Sequence, residues 1–232
     1  MYPQGAFGNM MSIADALAAI LSGLLIAAVT FAGRRWGPRV AGLLSGLPVV
    51  VGPILVVLAI EHGGSFAGRA ASGALFGLLT VPAFVVGFMC ASRRLPWPQA
   101  VAAGWVPAIA VAYAVGSATV PPVVSLVVVA TALAAAAWVT PAAAPAGAVV
   151  RGDVAIRAGL TVAVVWASTQ VARVAGPELG GMIASLPLLA TILVIFTSAG
   201  EGPAAATTLL RAMLTGLGSY AALCFVVAAS AS

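Results

Sequence analysis

The side chains able to do chemistry are few in this chain: ten basic residues, all Arg, five carboxylates and one His over 232 positions. His62, the one group that titrates near neutrality, stands beside Glu61 and a Gly-Gly turn, and Glu201 occupies a comparable place beside Gly202-Pro203. Glu61 and Glu201 can be read as gates or proton acceptors, or as solvated loop charges. Asp15 and Asp153 open apolar runs, where a carboxylate offsets the helix dipole. No nucleophile–base pair and no metal-ligand spacing is present, and Cys90 and Cys224 lie singly in apolar surroundings. An enzyme, a metal centre and an organic cofactor are therefore not expected.

A different pattern carries more. A run of small residues ending in Leu-Pro occurs twice, as Ala41-Gly42-Leu43-Leu44-Ser45-Gly46-Leu47-Pro48 and as Gly180-Gly181-Met182-Ile183-Ala184-Ser185-Leu186-Pro187. Each Pro stands about ten residues into an apolar segment, about 15 Å along a helix and so near the middle of a bilayer core about 30 Å thick. Proline removes a backbone donor, which frees the carbonyls of Leu44 and Ile183. Broken backbone at that depth must be buried in protein or line a wet cavity. Ser45, Gly46, Pro48, Gly181, Ser185, Pro187 and, one turn on, Thr191 are thus candidates for a solute site, whose half-helix N-termini favour an anion or hydrogen-bond acceptor. The competing reading is a packing face, since Gly42-xxx-Gly46 and Gly181-xxx-Ser185 have the small-xxx-small spacing of membrane helix contacts.

The elements that must position these residues follow from composition. The chain is 62% hydrophobic and 6% charged, with a mean hydropathy of +1.17, where a soluble domain carries roughly 25% charged residues. It cannot cover a soluble surface, so the lipid bilayer is its first partner. A net charge of +5 would suggest nucleic acid in a soluble protein; here the Arg residues lie singly or in pairs between apolar runs and read as topology markers, so nucleic acid is not expected. Pro, Gly and Arg punctuation divides the chain into eight segments, 12–33, 39–61, 66–91, 98–117, 121–139, 152–173, 179–199 and 204–229. The fold expected is an all-α integral membrane protein of about eight transmembrane helices. The first run is taken as a permanent span, not a cleaved leader. Thr119-Val120-Pro121-Pro122 leaves open whether the fourth and fifth segments are one kinked helix or two. Trp36, Trp97 and Trp138 lie near segment ends as interface anchors. Thr161, Ser168, Thr169, Gln170, Thr191, Thr197 and Ser198 line a polar path or bond back to their own helices.

Counting loops alternately places Arg34, Arg35, Arg39, Arg93, Arg94, Arg151, Arg157 and Arg211 on one side and only Arg69 and Arg173 on the other. The Arg-rich side should be cytoplasmic and both termini external, in a plasma (inner) membrane. A shift of 139 residues superposes Gly37-Pro38 on Gly176-Pro177, Leu47-Pro48 on Leu186-Pro187, Gly63 on Gly202 and Leu75-x-Gly77-Leu78 on Leu214-x-Gly216-Leu217 without a gap. Segments 1–3 (12–91) would then correspond to segments 6–8 (152–229), with 98–150 as connector. An offset of five spans inverts the second copy, the arrangement found in many secondary transporters.

The run Val40-Ala41-Gly42-Leu43 to Leu47-Pro48, with Gly63-Gly64 and Leu75-Phe76-Gly77, resembles the pattern of GlpM-type small membrane proteins. So does Leu186-Pro187 through Thr208-Leu209-Leu210-Arg211-Ala212-Met213-Leu214-Thr215-Gly216 to Tyr220. The resemblance implies two fused units of that kind and adds nothing on substrate. The expectation is a small secondary-type transporter for a small or lipid-like solute, with its site between the second and seventh segments. The alternatives are a flippase for a lipid-linked or amphipathic solute and a non-transporting assembly subunit; a homo-oligomer is compatible with each. A cavity reaching Pro48 and Pro187 would favour transport, and a dry seam would favour assembly.

Overall fold

The computed structural model describes residues 35–47, 63–116, 120–140 and 186–231, with a few further positions among 20–32, 52–59 and at 159. Every regular element in the described residues is helical. The helices are α1 (Pro38–Ser45), α2 (Gly64–Gly77), α3 (Thr80–Ser92), α4 (Trp97–Gly116), α5 (Pro122–Val139), α6 (Leu188–Glu201) and α7 (Pro203–Ser230). α2 and α3 form one span, Gly64–Ser92; with α4, α5 and α7 this makes, among the described residues, four helices long and apolar enough to cross a membrane, α6 being a shorter apolar helix. The described residues are thus all-helical in their regular structure and of membrane-protein character.

Glycine and proline set the starts. Gly37, Gly63 and Gly202 precede α1, α2 and α7 with φ of 88°, 88° and 87°, a region that costs an L side chain dearly. α1, α5 and α7 have Pro in the first turn, where the missing N–H has no helical partner to lose. Gly63 and Gly202 lie 139 residues apart and share ψ of 162° and 169°. The spans that follow them, Gly64–Ser92 and Pro203–Ser230, are 29 and 28 residues long. Both also carry a hydroxyl turned onto the carbonyl three residues back at the shifted position: Thr80 Oγ1 donates to Gly77 O at 2.8 Å, and Ser219 Oγ to Gly216 O at 2.7 Å.

Between α2 and α3, Leu78 and Leu79 form a turn inside the span. Pro82 has no N–H for the Leu78 carbonyl, which accepts from Val81 N–H at 3.1 Å instead. The fourth and fifth segments are two helices: α4 ends at Gly116, and Pro121 stands before α5 with φ −56° and ψ 144°.

Phe84, Phe88, Leu75, Leu78, Leu193, Leu210 and Leu214 fill the centre and are fully buried. Phe84 meets Trp105 edge-on with ring centroids 6.1 Å apart, which joins α3 to α4. The outer faces of α4 and α5 leave Val106, Ile109, Tyr113 and Val127 exposed, and Trp138 is 88% exposed at the end of α5. Such a surface suits acyl chains with an aromatic anchor at the headgroup level.

Close approaches give the helix directions. A Cβ on Gly42 would meet Leu209 O and Ala212 Cβ, one on Gly46 would meet Met213 O and Gly216, and one on Gly52 would touch Leu223. The numbers rise together, so the chain from α1 onward runs parallel to α7. A Cβ on Gly68 would instead meet Ala231, so α2 starts where α7 ends. Arg211 Nη1 donates to the Thr140 carbonyl at 2.6 Å. That bond sets the C-terminus of α5 level with the first third of α7 and satisfies a carbonyl at the negative end of the α5 dipole. Arg93 and Thr140 line one cleft, so Arg93, Arg211 and the end of α5 share one end of the bundle, while Arg69, beside Gly68, lies toward the other.

Candidate functional site

Both Leu-Pro motifs fall where a described helix ends or begins. In the first, α1 ends at Ser45 after eight residues, and Gly46 and Leu47 turn out of the helix. In the second, Leu186 and Pro187 form a turn and α6 starts at Leu188, with Pro187 as a buried N-cap at φ −74° and ψ 37°. Leu47 and Leu186 are the same position under the 139-residue shift. Pro48, Gly181, Ser185 and Glu61 lie outside the described residues, as do His62, Asp15, Asp153 and most of segments 1 and 6.

Around Pro187 the polar atoms are arranged by α6 itself. Leu188 N–H donates to Leu186 O at 2.7 Å, and Thr191 donates to Pro187 O through both its N–H, at 2.8 Å, and its hydroxyl, at 2.7 Å. Thr191 therefore fastens the break from one turn inside the helix. The first turn of α6 presents the positive end of its dipole at a buried residue. At the other end of α6, Thr197 and Ser198 are buried, Ser198 Oγ has no hydrogen-bond partner, and Glu201 is half-buried.

The first motif differs from expectation in two respects. The Leu44 carbonyl is not free: Leu47 N–H donates to it at 3.2 Å, because the chain tightens to a three-residue turn where the helix ends. Ser45 is buried and its hydroxyl donates to Gly42 O at 2.7 Å, closing on its own helix. Gly42 and Gly46 lie in backbone contact with Leu209, Met213 and Gly216 of α7. Their small-residue face is a packing seam within the chain; what Gly46 offers a solute is limited to the side away from α7.

A cavity of about 590 Å³ lies elsewhere, between α3, α4 and α5. Pro82, Gly87, Pro107, Val111, Ala132 and Ala136 are among its lining residues. Sequence reasoning passed over these positions because they read as ordinary apolar helix. The signals present were Pro82 and Pro107, which disturb helix surfaces, and Gly87, whose missing side chain admits Pro107: a Cβ there would come within 2.7 Å of Pro107 Cγ.

Comparison of the chain with protein-family models, with curated proteins and with solved structures finds no match, so what the site does is argued from its own geometry.

Proposed function

We propose that this chain is a small secondary-type transporter of the plasma membrane, with eight spans, both termini external and two inverted three-helix repeats, whose solute site lies between the interrupted second and seventh segments. The observation that carries this reading is the helix end at Leu47 and the helix start at Leu186-Pro187, equivalent under one shift that also pairs Gly63 with Gly202 and Thr80 with Ser219. The antiparallel approach of α2 and α7 at Gly68 and Ala231 is what inversion requires of two equivalent helices. The likeness to GlpM-type proteins belongs to the same proposal, as two fused units.

The solute is small and anionic or hydrogen-bond-accepting, because the first turn of α6 directs the positive end of its dipole at the Leu186-Pro187 turn. A lipid-linked or amphipathic solute is the second reading, favoured by the apolar groove of α3, α4 and α5. A non-transporting assembly subunit stays the third reading, favoured by the packed seam that Gly42 and Gly46 form with α7.

The test is uptake by proteoliposomes over a panel of small anions and amphipathic solutes, with Pro48→Ala, Pro187→Ala and the double variant compared for transport and thermal stability. Loss of uptake in folded variants is expected. Full uptake in the double variant would overturn the assignment of the site.

A further inference from the structure

The groove between α3, α4 and α5 continues toward the end of the bundle. Val86 and Val139 line both the groove and a smaller cleft whose other walls include Cys90, Arg93 and Thr140. Along the groove the walls are carbon, and its flanking helices turn Val106, Val127 and Val128 outward. At the cleft the chemistry changes within one helical turn. Arg93 lines it, and Arg211 reaches its rim from α7 by donating to the Thr140 carbonyl. A guanidinium carries five donors, so that single bond leaves Arg211 able to bind a second acceptor.

We propose that groove and cleft together bind one anionic phospholipid of the surrounding bilayer, with an acyl chain along α3 and α5 and the phosphate at Arg93 and Arg211. A water-soluble solute would find no polar partner along the groove, whereas a lipid finds carbon along its chain and the Arg93 guanidinium at the cleft. Charge complementarity selects an anionic headgroup: Arg93 and Arg94 end the α3 span, Arg211 is bonded to the Thr140 carbonyl of the same cleft, and the chain carries twice as many Arg as carboxylates. This inference is independent of the transport reading and survives its failure.

Cys90 is exposed in the cleft while Cys224 is buried in α7, so the folded chain carries its own reporter. The experiment measures maleimide reaction at Cys90 in vesicles of phosphatidylcholine alone and of phosphatidylcholine with phosphatidylglycerol, alongside native mass spectrometry of retained lipid. Phosphatidylglycerol should slow Cys90 labelling and remain bound on release from detergent. Arg93→Gln should weaken this protection about fivefold, the effect of one cation near an anionic headgroup. Ala135→Phe, which fills the groove from an exposed position, should abolish both protection and retention. Equal labelling in the two vesicle types, or protection unchanged in both variants, would overturn the proposal. So would a dimer mass that Ala135→Phe removes and phosphatidylglycerol leaves untouched, which would assign the groove to a second copy of the chain.

Discussion

Two glycines of α7, two residues apart, should respond to the same substitution with opposite sign. Gly218 is exposed, and a Cβ built on it meets nothing within 4 Å. Gly218→Ala should stabilise by about 0.5–1 kcal/mol, the usual penalty of glycine in a helix interior. Gly216 has the same intrinsic penalty, yet a Cβ there would lie 2.5 Å from Leu43 O and 3.0 Å from Gly46 Cα. Both obstacles are backbone, so no side chain can swing aside and α1 must move as a whole. Overpacking of this kind costs about 1–3 kcal/mol. After the helix-propensity gain, Gly216→Ala should be destabilised by up to about 2.5 kcal/mol, and the two variants should differ by about 1–3 kcal/mol. Unfolding can be followed by thiol labelling of Cys224, which is fully buried in the same helix, in a Cys90→Ser background that removes the exposed thiol. If both variants rise together in stability, the α1–α7 seam is not the close backbone contact described, and the parallel arrangement of these helices falls with it.

Thr191→Val should lower stability by about 1 kcal/mol through loss of its hydroxyl bond to Pro187 O. It should retain most uptake in proteoliposomes, whereas Pro187→Ala should keep its fold and lose uptake; the reverse ranking would make Thr191 the solute-contacting group. Reporter fusions or Cys accessibility should place the 140–150 linker and the C-terminus on opposite sides of the membrane, since Thr140 lies beside Arg211 and Ala231 beside Gly68. Finding both on one side removes the inverted repeat. Arg211→Gln should cost about 1 kcal/mol in thermal unfolding, a charge-assisted bond to the last carbonyl of α5 discounted for partial exposure; an unchanged midpoint would show that the α5 terminus is satisfied without it.

Much of the architecture was legible wherever backbone chemistry dictates it. The segments read at 66–91, 98–117, 121–139 and 204–229 match the observed spans to within two residues, because Gly63, Pro96, Pro121-Pro122 and Gly202-Pro203 end or start helices by φ restriction and missing donors. The turn at Leu78-Leu79 was not legible from hydropathy. Its cause, the absent N–H of Pro82, changes hydrogen bonding without changing how apolar the segment is. Pro107 shows the converse, a proline inside α4 that the helix accommodates. At the candidate site, the turn at Leu186-Pro187 was readable from composition, but the engagement of Ser45 with Gly42 was not. A hydroxyl in an apolar helix can face a solute or its own carbonyl, and only coordinates distinguish the two. The groove went unread for a related reason: an apolar wall has the same sequence whether another helix or a lipid chain covers it.

The seam between α1 and α7 also bears on how such a protein can move. Its contacts are backbone against backbone, with Gly42, Gly46 and Gly216 supplying no side chains to deform. Sliding by even part of a helical turn would drive Leu43 O or Leu209 O into a side chain, so the two helices must travel as one rigid body, although they belong to opposite halves of the chain. Among the described residues, flexing falls to the places where helical hydrogen bonding lapses, Leu47, Leu78-Leu79 and Leu186-Pro187. A change of access from one membrane face to the other would then proceed by bending within halves, about hinges at these turns, and not by one half rocking against the other.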